Sequence, residues 1–415
     1  MDFPARRYRS SAAAAAVAAL ALLAAGCATT TRRGLTGDEL ARLAAERGVP
    51  ASRVELPFAL DGEMRAWLRD EQRNGRVQRA GPALHRLGSL LHALVHEEGL
   101  GIDYQAGSTG TAAEVFRSRQ ANCLSFTQIF VAFARELGVD AYFLAVQDLD
   151  SYERLGDLVR LSSHVTAGFG PWNDQQVLEF NLGPQVDYDL VRPVSDLTAV
   201  AMFYSNRGAE LLTDGAPGEA VEALELAAAL DPDLPGAWIN LGVALRRNGD
   251  HAGAEAAYRR ALEADPRATS AYQNLAALLQ LRGQRDEAEE LLRLGARAGS
   301  RNPFAYLELG DLSLRRGRLD EARRMYRKAL RLHGDRPEPY AALGLAALAA
   351  DDPAAARRWL AKARRRDPDD ERVRLLAARL EERNGRPAPA HSVTGRSRAE
   401  PGPSADASNP RPPRT

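Results

Sequence analysis

The chain has 415 residues, of which 45% are hydrophobic, and its 55 basic and 55 acidic side chains leave no formal net charge. This length is typical of two or three domains, each with a hydrophobic core. A chain without net positive charge has no overall attraction for a polyanion, so the composition gives no support for nucleic-acid binding.

Residues 1–27 begin with basic side chains, continue as an apolar run and end at a cysteine. Arg6, Arg7 and Arg9 precede AAAAAVAALALLAAG, which is too short and too rich in alanine to predict a membrane-spanning helix. The closing LLAAGC resembles the lipobox of bacterial lipoproteins. This resemblance implies a signal peptide over residues 1–26, which is cleaved, and a lipid on Cys27. The alternative is an uncleaved anchor with an incidental cysteine.

Lipidation of Cys27 would determine both the location of the protein and the state of its other cysteine. Several acyl chains hold a protein firmly on a membrane, and residues 27–60 would form the lipidated N-terminus and a tether. Because Ala28 follows Cys27 where inner-membrane lipoproteins often carry aspartate, we expect the periplasmic face of the outer membrane, with the inner membrane as the alternative. Cys123 would then be a lone thiol.

The helix predicted over GPALHRLGSLLHALVHEEG carries a pair of candidate metal ligands. His92 and His96 lie four residues apart and therefore on one helical face. A metalloprotease helix needs a glutamate directly after its first histidine, and Ala93 occupies that position. We therefore predict a solvated helix surface, with no metal site and no other cofactor.

The stretch ANCLSFTQIFVAFARELG predicts a helix that starts at Cys123, is capped by Asn122 and ends at Gly138. A thiol in the first turn of a helix feels the positive end of the helix dipole, which stabilises its thiolate. Three strands are predicted next, in DAYFLAVQ, LSSHVTAGFG and QQVLEFN, because these short runs are rich in β-branched and aromatic residues. His164 lies in the second strand. Glu179 and Asn181 share one face of the third.

A cysteine at the start of a helix, a histidine on a strand and an acid or amide on the next strand occur here in that order. Residues 61–195 thus resemble the transglutaminase-like superfamily, mainly through TAAEVFRSRQANCLSFTQIFVAFARELGVDA. The resemblance implies an α+β, papain-like domain with Cys123 as nucleophile and His164 as base. It places Glu179, or alternatively Asn181, as the third member. The alternative is a buried structural cysteine and a strand histidine with no catalytic role.

From residue 201 the sequence repeats with a period of 34 residues. The aromatic position is held by Tyr204, Trp238, Tyr272, Tyr306 and Tyr340, and a small position by Gly208, Gly242, Ala276, Gly310 and Gly344. This pattern resembles the tetratricopeptide repeat and implies an all-α superhelical solenoid of five repeats over residues 201–370. ERVRLLAARLEERNG predicts a capping helix over 371–385. The tail 386–415 is rich in proline, serine and charge, which predicts disorder.

Stacked repeats of this family curve so that their concave side commonly binds peptides. Asn206, Asn240 and Asn274 share one repeat position and could hydrogen-bond a peptide backbone in that groove. The alternative is that these asparagines serve contacts inside the repeat.

Two functions are compatible with this sequence. In the one that the sequence favours, a membrane-tethered cysteine-triad enzyme hydrolyses or transfers amide bonds of a protein or peptide that the repeats hold. In the other, the protein is a non-catalytic scaffold that assembles envelope proteins.

Overall fold

The computed structural model describes residues 34–105, 107–155, 158–171, 176–178, 190–298, 302–383 and 385. The chain divides after His333 into two compact units. The first unit contains a mixed α and β region followed by four helix pairs, and the second contains one helix pair and a further helix.

Five helices of the described residues precede the main sheet, together with a short 3₁₀ turn at Ala51–Arg53. They are α1 (Gly37–Glu46), α2 (Gly62–Arg73), α3 (Ala83–Val95), α4 (Ala112–Ser118) and α5 (Cys123–Glu136). Side chains cap most of them, since Thr36 and Thr111 form capping boxes with Glu39 and Glu114. Helix α5 is central, because every residue from Leu124 to Ala134 is buried. It packs against α3, α4 and the sheet.

Six strands of the mixed region lie in the part of the chain that the structure describes. Strands β1 (Asp103–Tyr104) and β2 (Gln120–Ala121) form a short parallel pair. The main sheet contains β3 (Ala141–Leu155), β4 (Leu158–Phe169), β5 (Gln176–Leu178) and β6 (Leu190–Val194) in the antiparallel order β5-β4-β3-β6. The first compact unit therefore starts with an α+β arrangement, and the finer resemblance to a transglutaminase-like fold stays a prediction.

Eight helices of the first unit form four antiparallel pairs with a 34-residue repeat. The first helices of the pairs are α6 (Asp196–Thr213), α8 (Pro235–Arg247), α10 (Thr269–Leu281) and α12 (Pro303–Arg315). The second helices are α7 (Pro217–Leu230), α9 (His251–Ala264), α11 (Arg285–Arg297) and α13 (Leu319–Leu332). The second unit contains α14 (Glu338–Ala349), α15 (Pro353–Arg364) and α16 (Glu371–Arg383).

Small residues at the repeated small position let the paired helices approach closely. A Cβ added to Gly242 would lie 2.6 Å from Cδ1 of Tyr258, which fills the space between α8 and α9. Gly310 faces Tyr326 in the same way. The turn inside each pair contains a left-handed residue, because the chain must reverse within a few residues. This position is held by Gly215, Gly249, Gly283 and Gly317, and by Asp351 in the second unit.

The α+β region and the first helix pairs share one hydrophobic core. One cluster of buried apolar side chains extends from Leu40 in α1 to Leu312 in α12. The hydroxyl of Tyr204, the aromatic residue of the first repeat, accepts a hydrogen bond from Glu55 N at 2.8 Å. Strand β3 packs against α6, and β4 packs against α8 and α10. Residues on the two sides of the predicted boundary near 200 therefore fold as parts of one compact unit.

Candidate functional site

Cys123 is the first residue of α5, as the sequence predicted. Asn122 caps this helix, because its Oδ1 accepts a hydrogen bond from Ser125 N at 2.9 Å. The side chain of Cys123 is partly buried, and its thiol forms no disulfide with any residue that the structure describes. The local sequence thus explains why the thiol lies at a helix N-terminus.

A chain of buried and partly buried hydrogen bonds connects this helix start to the first repeat. Asn122 Nδ2 donates to Thr109 Oγ1 at 2.6 Å, and Thr109 donates from both N and Oγ1 to Glu210 Oε1 at 2.8 and 2.6 Å. Arg207 Nη1 donates to Thr109 O at 3.1 Å. Glu210 and Arg207 belong to α6, so the first repeat helps to hold the N-terminus of α5 in place.

The environment of Cys123 favours the protonated thiol. Burial raises the pKa of Cys123 above its ordinary value, although hydrogen bonds with the backbone of Val165, Leu124 and Cys123 itself act in the opposite direction. The sequence predicted a stabilised thiolate from the helix dipole. In the structure, desolvation of the thiol instead shifts its pKa upward.

The structure brings β4 next to the start of α5. Thr127 Oγ1, one turn after Cys123, lies 2.7 Å from Cys123 O and 3.2 Å from Val165 O. His164 precedes Val165 in β4, and its backbone pairs with Val146. Cys123 and the His164 backbone are therefore on neighbouring elements. Cys27, Glu179 and Asn181 lie outside the described residues, so the triad and the lipidation site stay predictions.

Two other groups of predicted residues can be placed. The rings of His92 and His96 stack with centroids 3.8 Å apart, and no cluster of three or more potential metal ligands occurs among the described residues. In the repeats, Asn240 and Asn274 are 2% and 1% exposed, whereas Asn206 is partly buried. Asn240 Nδ2 lies 3.4 Å from Ser205 Oγ on the first helix of the preceding repeat. This contact favours the alternative in which the asparagines hold the repeats together and do not bind a peptide.

Two family models, both described as tetratricopeptide repeat, match this chain over residues 206–269 and over residues 245–309 and 313–380. The C-terminal half of the chain contains tetratricopeptide repeats. Such repeats generally bind protein or peptide partners. The predicted repeat solenoid is confirmed, while the lipobox and the transglutaminase-like resemblance stay predictions.

Several solved structures of other proteins are similar to this chain. MamA (residue 41 to the end) from Desulfovibrio magneticus RS-1 is 23% identical, with a TM-score of 0.34 and coverage of 41% of this chain and 97% of MamA. PilF of Pseudomonas aeruginosa is 22% identical, with a TM-score of 0.39 and coverage of 45% and 84%. PilW, described as a widely conserved type IV pilus biogenesis factor, is 18% identical, with a TM-score of 0.40 and coverage of 45% and 86%. A comparison with curated proteins finds no match.

No helix in the described part of the chain has the length and apolar character needed to span a bilayer.

Proposed function

We propose that this protein is a scaffold of the bacterial cell envelope whose tetratricopeptide repeats bind a protein partner. The observation that carries the proposal is the run of repeats over residues 206–380. The lipobox-like LLAAGC supports attachment to a membrane through a lipid on Cys27. The partner would be a protein or peptide of the envelope.

The packing of the helices indicates which side of the repeats is concave. In the first unit, the first helices of neighbouring pairs contact one another: α6 contacts α8, and α8 contacts α10. Successive second helices approach each other less closely. In a curved stack of two layers, the layer with the closer helices is the inner one, so the first helices line the concave side.

A photocrosslinking experiment compares the two layers within one repeat. Leu281 ends α10 in the inner layer and is 61% exposed, and Leu294 lies on α11 in the outer layer and is 39% exposed. With p-benzoylphenylalanine at position 281, we expect irradiated cells to yield a discrete adduct with another protein. The same residue at position 294 should give little or none. Equal adducts from both positions, or none from either, would contradict binding on the inner layer.

A second candidate function, cysteine chemistry, is favoured by one observation. The thiol of Cys123 is within hydrogen-bonding reach of the backbone of Val165, directly after His164. In this candidate, the Cys123 thiolate bonds to an amide carbonyl carbon, and the His164 imidazolium gives its proton to the leaving amine. Water or an acceptor amine then resolves the acyl-enzyme, so hydrolysis and transfer both remain open. Glu179 or Asn181 would orient His164.

Alkylation of Cys123 distinguishes the scaffold from the enzyme. The reactive species is the thiolate, and burial raises the pKa of Cys123. For a scaffold, we therefore expect iodoacetamide to react slowly at pH 6–8 in a Cys27→Ser background. The rate should increase only in more alkaline solution, and His164→Ala should leave it unchanged.

The opposite result would establish the cysteine enzyme instead. It consists of fast alkylation near pH 6 that falls when His164 is replaced by alanine. In that case, Glu179→Ala and Asn181→Ala, measured side by side, would show which residue orients the histidine.

A further inference from the structure

The second helices of the repeats differ in charge along the chain. Helix α7, in the first pair, carries Glu219, Glu222 and Glu225 and no basic side chain. Helix α15, in the pair of the second unit, carries four basic side chains and no acidic one. No acidic residue occurs in the whole stretch 353–366. Because α7 and α15 have the same place in the repeat, stacking of the repeats requires neither charge.

The basic side chains of α15 are arranged in two rows. Arg358, Lys362 and Arg365 are four and three residues apart and therefore lie in one row along the helix. Arg365 directly follows α15 and still has helical backbone angles. Arg357 and Arg364 are seven residues apart, which is about two turns, and form the second row. We refer to these five residues as the basic face.

The basic face is the solvent side of α15. All five of its side chains are exposed. The opposite side of the helix is buried in the core of the second unit through Ala356, Leu360 and Ala363. Between the two basic rows lie Ala354 and Ala361, which are also exposed. The surface therefore consists of cations separated by small side chains, with nothing that would keep a flat partner at a distance.

Neighbouring side chains do not neutralise most of the basic face. Arg358, Arg364 and Arg365 form no ion pair with any residue that the structure describes. The ammonium of Lys362 lies 4.6 Å from the centroid of the Trp359 ring, a contact that leaves its positive charge in place. The opposite charge for these side chains would have to come from a partner.

An anionic phospholipid surface fits the basic face. Such a surface is flat and carries many phosphates side by side, so it can meet charges that are spread along a helix without a pocket. Lysine and arginine side chains near it are attracted by its negative potential. Proteins that hold single-stranded nucleic acid usually add aromatic rings that stack on the bases. Trp359 is the aromatic side chain of α15, and it packs against Tyr340 in the core of the second unit.

We propose that the basic face of α15 binds the surface of a membrane that contains anionic phospholipids. This inference goes beyond the proposed function, which places a protein partner on the first helices of the first unit, and it rests on that function only for the presence of a membrane. A lipid on Cys27 would hold the chain at that membrane. The basic face would then add a second attachment, which holds the second unit at the surface.

Sedimentation with vesicles tests the proposal on the full chain in a Cys27→Ser background, which cannot carry the lipid. We expect binding to vesicles of phosphatidylcholine with one third phosphatidylglycerol and much weaker binding to phosphatidylcholine alone. Binding should be lost as the salt concentration is raised to about 1 M, where the Debye length is about 3 Å. Arg358→Gln/Lys362→Gln/Arg365→Gln should lower the partition coefficient roughly a hundredfold, since each basic side chain near an anionic surface raises it about fivefold.

Arg259→Gln/Arg260→Gln/Arg267→Gln is the matched control. It removes the same number of positive charges, but each of these arginines already has an acidic partner. The partners are Glu255, Glu263 and Asp265, respectively. The control should change the partition coefficient by less than about twofold, because a paired charge adds little attraction for an anionic surface. All variants share one N-terminus, so differences between them belong to the substituted residues.

Three results would overturn the proposal: no stronger binding to the anionic vesicles, wild-type binding by the variant of the basic face, or an equal loss in the control, which would indicate overall charge alone. Tighter binding to a single-stranded oligonucleotide than to the vesicles, at equal phosphate concentration, would assign the basic face to nucleic acid instead. Because this test uses neither the lipid nor a protein partner, its failure would leave attachment through Cys27 and the adducts from position 281 intact. Loss of those adducts with vesicle binding retained would remove the proposed partner binding alone.

Discussion

Replacing Asp196 with alanine is expected to lower the free energy of unfolding of the first compact unit by roughly 2–4 kcal/mol, because a mostly buried guanidinium loses its carboxylate. Asp196 accepts hydrogen bonds from Arg135 Nη1 at 2.7 Å and from Arg135 Nη2 at 2.8 Å. It also accepts one from Leu35 N at 2.7 Å. The side chains of Arg135 and Asp196 are only 18% and 16% exposed.

The effect of Asp196→Ala can be measured by urea unfolding, with Asp214→Ala as the control. Asp214 lies just after the same helix, α6, but its side chain is exposed, so its removal should change stability by less than about 0.5 kcal/mol. Asp196→Asn should fall between the two, because an amide can still accept one hydrogen bond. A loss below about 1 kcal/mol for Asp196→Ala would show that this ion pair is not needed to join α5 to α6.

Replacing Glu289 with glutamine is expected to destabilise the first unit by about 2–3 kcal/mol at pH 7, since three arginines converge on this carboxylate. Its oxygens lie 2.7 Å from Arg293 Nη2, 2.6 Å from Arg316 Nη1 and 2.5 Å from Arg318 Nη2. Its side chain is 7% exposed. Arg293 belongs to α11, whereas Arg316 and Arg318 lie in the turn between α12 and α13, so Glu289 connects two repeats.

The same variant should change the pH dependence of stability. Burial acts to raise the pKa of Glu289, but the hydrogen bonds and charges of the arginines outweigh it and lower the pKa below its ordinary value. A lowered pKa in the folded state stabilises the protein above the unfolded-state pKa of about 4.3, and this stabilisation is lost as the pH falls through the folded-state pKa.

The difference between wild type and Glu289→Gln should therefore be constant from pH 6 to 8 and shrink below about pH 4. Urea unfolding at several pH values would measure it. Glu290→Gln, an exposed neighbour on α11, should show little effect at any pH. A difference that does not change with pH would mean that the ionised carboxylate is not the stabilising group.

The repeats were predictable from sequence because their signals are local and recur. Gly242 and Gly310 occupy the same position of two repeats, and so do Tyr258 and Tyr326. The structure shows the same glycine–tyrosine contact in both repeats. The start of α5 at Cys123 was predictable for a similar reason, since Asn122 caps the helix only one residue away. Patterns that span a few residues, or that repeat along the chain, are therefore enough to predict a helix start or a repeat fold.

The contacts around Cys123 could not be read from the sequence in the same way. Thr109 and Glu210 are 101 residues apart, and neither belongs to a motif that announces the pairing. The direction of the Cys123 pKa shift also depends on how deeply the folded chain buries the thiol. A helix dipole can be inferred from a capping residue, whereas desolvation depends on packing against β4, which is distant in sequence.

The repeats that contact the α+β region should be duplicated or lost less readily during evolution than the later ones. Tyr204, Arg207 and Glu210 of α6 all bond to the α+β region, while α8 and α10 carry β4. A duplication or loss among these repeats would disrupt contacts with the α+β region as well as the stack. The length of the array in descendants of this protein is therefore expected to vary after α10, where a repeat can be gained or lost without altering that interface.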